Sequence, residues 1–171
     1  MLLITLIFGM LSCTQGSYTN YDSPKGYSFL FEGNDWEVRE NQNQTFLFNK
    51  QNLKEKSAFN TNLNIIVQDL SKTPVNLDEY HTNTLKQVEQ VLGKNAIKSE
   101  KEIKISGNKG KEIIYVMPKD ISSQRMEALK LKQVYFIEKE KAYLITYTSK
   151  IDEFDKYLSS AEKMFETFTI K

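Results

Sequence analysis

The residues best suited to chemistry are few, and they stand apart from one another. The chain of 171 residues contains one histidine, His81, and one cysteine, Cys13. A Ser-His-Asp triad would need His81 as its base, and no Gly-x-Ser-x-Gly elbow accompanies it. Zinc sites built from histidine and cysteine cannot be assembled from a single histidine. His81 follows Tyr80 near the start of an apolar-periodic stretch, which reads as a boundary or surface position. Carboxylates are more numerous. Asp78-Glu79 and Asp152-Glu153-Asp155 both open helical patterns, where negative charge favours the positive end of the helix dipole without any substrate. Gly107 and Gly110 lie in a hairpin pattern with no helix behind them, so they do not make a phosphate loop. From these residues we expect no catalytic set, no cofactor and no metal site.

Cys13 calls for a different chemistry. It closes the apolar run 2–11, about ten residues long where roughly twenty are needed to span a bilayer as a helix. The run has the length of a secretory signal and ends in the small residue Ser12. Met10-Leu11-Ser12-Cys13 resembles the lipobox of bacterial lipoproteins, in which the cysteine thiol is acylated and becomes the new N-terminus. The box departs from the usual pattern: Met10 stands where Leu, Val or Ile is common, and Leu11 where a small residue is. No Lys or Arg precedes the run, and a start a few residues upstream would supply one. An unlipidated signal with an incidental cysteine and an apolar N-terminal strand are the other readings. The expectation is a signal over 1–12, an acylated Cys13 and a location in the bacterial cell envelope. Acyl chains contribute about 0.8 kcal/mol per buried methylene, so more than one makes anchoring stable.

Beyond the signal, the length suits one domain able to bury a sizeable core. No cysteine remains for a disulfide, so burial must hold the fold. A net charge of +1, with Lys+Arg 23 interleaved among Asp+Glu 22, leaves no electrostatic footprint for nucleic acid.

The elements that would position any site follow from periodicity. Residues 14–25, polar with Gly16 and Pro24, read as a tether, and the domain as 26–171. Alternation marks strands at Tyr27, Phe29 and Phe31, at Phe46 and Phe48, and at Leu63, Ile65 and Val67. Residues 50–61 are polar and read as an exposed loop. Asn76 and Glu79 form a capping-box pair opening a helix whose stripe is Leu77, Tyr80, Thr84, Leu85, Val88, Val91 and Leu92, with Gly93 as its αL terminus. Four strands follow: 102–106 and 110–117 around a turn at 107–110, then 129–137 and 142–148. A last helix begins at Ser149, with Asp152 as capping partner, and carries Phe154, Tyr157, Leu158, Ala161, Met164, Phe165 and Phe168. Strands, helix, strands, helix define an α+β class, an antiparallel sheet with helices packed on its faces.

Several of these segments resemble the PsbP-like family. They are Gly26-Tyr27-Ser28-Phe29 followed by Trp36, Asn64-Ile65-Ile66-Val67, Leu77-Asp78-Glu79-Tyr80, Ile105-Ser106-Gly107-Asn108-Lys109-Gly110, and Ala142-Tyr143-Leu144-Ile145-Thr146-Tyr147-Thr148. The likeness spans residues 25–171. It implies the α-β-α sandwich shared with the Ran-binding Mog proteins and a non-enzymatic character. PsbP proteins themselves are extrinsic photosystem II subunits that help retain calcium and chloride. Many bacterial relatives are exported proteins without an assigned activity. No ligand motif for a metal can be matched here, and no chloroplast-type transit segment is present.

Ten phenylalanines, nine tyrosines and Trp36 fall mostly on inward positions and read as core. The polar loops 50–61 and 118–128 are the expected contact surfaces, with Arg125 and Met126 as candidate partner contacts. The leading expectation is therefore a lipid-anchored envelope protein that binds or stabilises a protein partner without catalysis. A module for a small ligand, a lipid or a metal ion is the alternative, and an enzyme using unassigned carboxylates a third. A pocket of some 300 Å³ or more would favour the ligand.

Overall fold

The computed structural model describes residues 17–42, 44–55, 59–120 and 127–171. The elements run β1 (Tyr18–Ser23), β2 (Tyr27–Glu32), β3 (Trp36–Glu40), β4 (Gln44–Asn49), α1 (Lys50–Glu55), β5 (Asn62–Asp69), α2 (Leu77–Leu92), β6 (Ile97–Ile105), β7 (Asn108–Met117), β8 (Leu129–Glu138), β9 (Lys141–Lys150), α3 (Phe154–Thr167) and β10 (Thr169–Ile170). Seven strands form an antiparallel sheet in the order β3-β4-β5-β9-β8-β7-β6, and β1-β2-β10 form a smaller one.

Successive side chains of a strand point to opposite faces, and here both faces of the large sheet are covered near its middle. On one face Tyr143, Ile145 and Tyr147 of β9 and Val134 and Phe136 of β8 meet Phe154, Ala161, Met164, Phe165 and Phe168, together with Tyr27, Phe29 and Phe31 of the small sheet. On the other face Ile113, Tyr115, Leu129, Leu131 and Tyr135 meet Leu77, Tyr80, Leu85, Val88 and Leu92 of α2. The architecture is the expected α+β sandwich, with α3 and the small sheet on one side and α2 on the other.

Several expectations need correction. The tether assigned to 14–25 contains β1, whose six residues pair with β2 from Tyr18↔Glu32 to Ser23↔Tyr27. Its polar sequence has no apolar alternation of its own, so pairing creates it. The loop assigned to 50–61 begins with helix α1, because Asn49 Oδ1 accepts the backbone N–H groups of Gln51 and Asn52. Asn52 and Thr61 are fully buried, and Asn52 Oδ1 accepts the N–H of Thr61 at 3.2 Å. The last helix starts at Phe154. Ser149 belongs to β9, where it pairs with Lys130 and bonds Thr61 Oγ1 at 2.9 Å, and Glu153 is the N-cap with no side-chain cap bond.

The α2 capping box is present as expected, in both directions between Asn76 and Glu79. Gly93 has φ 91 and ψ 159, a left-handed-side φ but not the αL conformation. Val91 is 78% exposed and lies outside the packed stripe. The β6–β7 turn is Ser106-Gly107, at φ 52 and 78, the two positive values of a two-residue hairpin. Gly110 serves otherwise. It sits within β7, and a Cβ there would stand 2.9 Å from the Tyr135 carbonyl oxygen. Phe46 and Phe48 share a side, but it is the outer one, for Thr45, Leu47 and Asn49 are the buried positions of β4.

Candidate functional site

Helix α2 buries no residue completely. It lies across β6, β7 and β8 on an apolar stripe flanked by a polar seam, and beside that seam the surface opens into a trough of about 1430 Å³. Pro74, Val75, Leu77, Ile103 and Ile137 supply its apolar lining, and Asp78, Glu79, Glu102, Lys104, Lys109 and Lys111 its charges. The missing side chain at Gly110 lets β7 and β8 approach closely on its floor.

Lys111 organises one end. Its side chain is 12% exposed, and Nζ donates to Asp78 Oδ1 and Glu102 Oε1, each at 2.9 Å. Hydrogen bonds to both carboxylates raise the Lys111 pKa, and the same bonds lower those of Asp78 and Glu102. A lysine held this way stays charged and is a poor nucleophile.

His81 continues the seam. Its Nδ1 lies 2.5 Å from the Tyr135 hydroxyl and its Nε2 3.3 Å from Glu100 Oε2. Tyr135 is fully buried, and that burial pushes its hydroxyl well above the ordinary tyrosine range. Tyr80, beside it at 5.6 Å between ring centroids, is raised to about 12 by burial and donates to Gln68 Oε1 at 3.0 Å. Both nitrogens of the histidine are occupied and its tyrosine neighbour is out of solvent. This arrangement docks the helix against β8 and β6.

Among the described residues no group of three or more His, Cys, Asp or Glu side chains converges as a metal site. No described helix is long and apolar enough to cross a membrane. Cys13, Arg125 and Met126 lie outside the described residues. The trough was not anticipated. Its only trace in the sequence is the set Lys104, Lys109 and Lys111 around a hairpin, facing an acidic helix start. Joining the two requires knowing that α2 crosses β6 and β7.

This layering, with its flanking small sheet, is that of a known class: the PsbP- and Mog1-type α-β-α sandwich. The chain is similar to cyanobacterial PsbP from Synechocystis at TM-score 0.61 and 11% identity, over 96% of this chain and 99% of that one. It is also similar to LpqN of Mycobacterium tuberculosis, described as involved in cell envelope biogenesis, at TM-score 0.58 and 12% identity, over 91% of each chain. The Saccharomyces cerevisiae Ran-binding protein Mog1p matches at TM-score 0.54 and 7% identity, over 90% of this chain and 95% of that one. No family model and no curated protein matches by sequence. At these identities what is shared is the fold, which is PsbP-like as the sequence resemblance implied.

Proposed function

We propose that this chain is a PsbP-like envelope protein, anchored to the membrane through acylated Cys13, that binds a protein partner without catalysis. The observation that carries the binding role is the shape of the trough. Drug-sized ligands are held in clefts that bury 70–90% of their surface, about 300–1,000 Å³ in volume. This trough is larger and open along one side, with apolar and charged residues interspersed. It suits an extended segment or loop of another protein better than an enclosed small molecule. The occupied nitrogens of His81 and the doubly paired Lys111 support a role without proton transfer. The structural neighbours include a Ran-binding protein and one described with envelope biogenesis, which supports the partner reading by analogy.

The trough's volume keeps the small-ligand or lipid module as the second reading, since it exceeds the threshold stated above. Photo-crosslinking in living cells separates the two. A crosslinker placed at Lys109, on the rim, should capture a discrete protein neighbour, and one at Glu55, at the end of α1 beyond β4 toward the opposite edge of the sheet, should not. Capture of no protein at Lys109 contradicts the partner reading.

A further inference from the structure

One edge of the large sheet, at β6, is open along most of its length. The residues from Lys98 to Glu102 are all exposed, and so is Lys104. The phase of the ladder with β7 is fixed at both ends, by the two-residue turn after Ile105 and by Val116 N–H to Ala96 C=O at 3.0 Å. Alternation along an antiparallel ladder then turns the backbone groups of Ser99, Lys101 and Ile103 toward β7. Those of Glu100, Glu102 and Lys104 point outward, and among the described residues nothing bonds to them. A hollow borders this edge on each face of the sheet. On the α2 face, Glu102 and Lys104 belong to the lining of the trough. On the α3 face, a second hollow of about 330 Å³ has Ile103, Ile105, Val134 and Phe165 in its walls. Its buried charges, Lys132 and Glu112, are paired with each other at 3.3 Å.

We propose that an extended segment of another protein adds to β6 as a further antiparallel strand, which rests on the partner reading above and gives that partner its chemistry. Each N–H and C=O of Glu100, Glu102 and Lys104 then meets a counterpart, and alternate side chains of the added strand enter the two hollows. Opposite charges stabilise directly opposed pairs, and like charges destabilise them. The α2 face therefore calls for an acidic residue opposite Lys104 and basic residues opposite Glu102 and Glu100. On the α3 face, the residue opposite Ile103 falls in the closer non-hydrogen-bonded pairing, with Cα atoms about 4.5 Å apart. The apolar walls there take an apolar side chain. In its own N-to-C direction the segment reads acidic, apolar, basic, any, basic. A second copy of this chain fits less well. A two-fold axis through Glu102 sets Glu102 opposite itself, and one through Lys101 sets Glu100 opposite Glu102. An axis through Ile103 runs into the turn at Ser106, φ 52, after only Glu102 and Lys104 have paired.

Fluorescence anisotropy of a labelled probe peptide, Thr-Glu-Val-Lys-Thr-Lys-Thr, with full-length protein in detergent tests this directly. The charge-exchanged peptide Thr-Lys-Val-Glu-Thr-Glu-Thr should bind about tenfold more weakly. Glu100 lies outside the trough's lining, so its variants separate the edge from the trough. Glu100→Pro removes an outward N–H and leaves the ladder with β7 intact, whereas Glu100→Ala keeps that N–H. The proline variant should bind the probe about tenfold more weakly than the alanine variant. Far-UV circular dichroism establishes that each variant is folded. Saturating probe should also slow hydrogen exchange at the amides of Glu100, Glu102 and Lys104. A probe that does not bind, equal affinity of the two peptides or of the two variants, or unchanged exchange would overturn the proposal. So would a wild type that dimerises and loses the dimer in Glu100→Pro, which would assign the edge to a second copy. Crosslinking at Lys109 keeps the two readings apart. Capture undiminished in Glu100→Pro overturns the added strand and leaves the partner standing, while no capture in wild type removes both.

Discussion

Lys132 and Glu112 face one another between β8 and β7 at 3.3 Å, with 8% of each side chain exposed. Glu162 also meets Lys132 at 2.7 Å, and Lys101 meets Glu112 at 3.2 Å. Removing Lys132 leaves the buried Glu112 with only the exposed Lys101 as its partner, at a cost of up to roughly 3 kcal/mol, whereas replacing both with apolar groups is often neutral. Urea unfolding should therefore rank Lys132→Met below the double variant Lys132→Met/Glu112→Leu in stability. A single variant as stable as the double would show that the pair is not coupled. Glu40 makes a second prediction. Burial alone would raise its pKa, but hydrogen bonds from Lys25, Tyr21 and Ser23 outweigh this and lower it. A lowered folded pKa contributes stability that is fully present above the unfolded value, about 4.3, and is lost as pH falls through the folded value. The stability gap between wild type and Glu40→Gln should be open at pH 7 and close below about pH 4. Neither pairing was legible in the sequence. Interleaved lysines and acids look like a solvated surface until strand register places particular ones opposite each other.

At the scale of elements, the two long helices differ in how they are held. Helix α3 buries Phe154, Ala161, Met164 and Phe165, and α2 buries none of its residues fully. Elements with few buried contacts open at lower free energy, so α2 amides should exchange with deuterium before those of α3 at neutral pH. Equal protection would contradict the account of α2 as a helix docked through a polar seam. Its capping box makes Asn76→Ala costly by about 1 kcal/mol, readable as a lower melting temperature. That cap was legible because it is local: Asn76 and Glu79 need only each other. The β8–β9 meander was legible for a related reason, since strict alternation such as Tyr143, Ile145 and Tyr147 survives whatever packs on it. Strand β1 and helix α1 were not. The first needs β2 to pair with, and Tyr21 leans on Phe29 at 5.2 Å between ring centroids. The second needs Asn52 buried against Thr61, nine residues away in the chain.

For the whole molecule, the folded unit includes β1 ahead of Gly26, which a truncation series tests. A chain starting at Ser17 should melt like the full-length protein, and one starting at Gly26 should melt lower because it lacks the strand that pairs along all of β2. Equal melting temperatures would return 18–23 to the role of a tether. The sandwich could be read from the order of strands and helices, each of which carries its own periodicity. The trough could not, because α2, the segment before it and the β6–β7 hairpin line it from separate parts of the chain. The proposed role of that trough presupposes display in the envelope, and that rests on Cys13. Intact mass of the protein extracted from membranes decides the matter most directly. The account predicts loss of residues 1–12 and a gain of acyl mass on Cys13 at the new terminus. A chain with residues 1–12 still attached and an unmodified cysteine would contradict it.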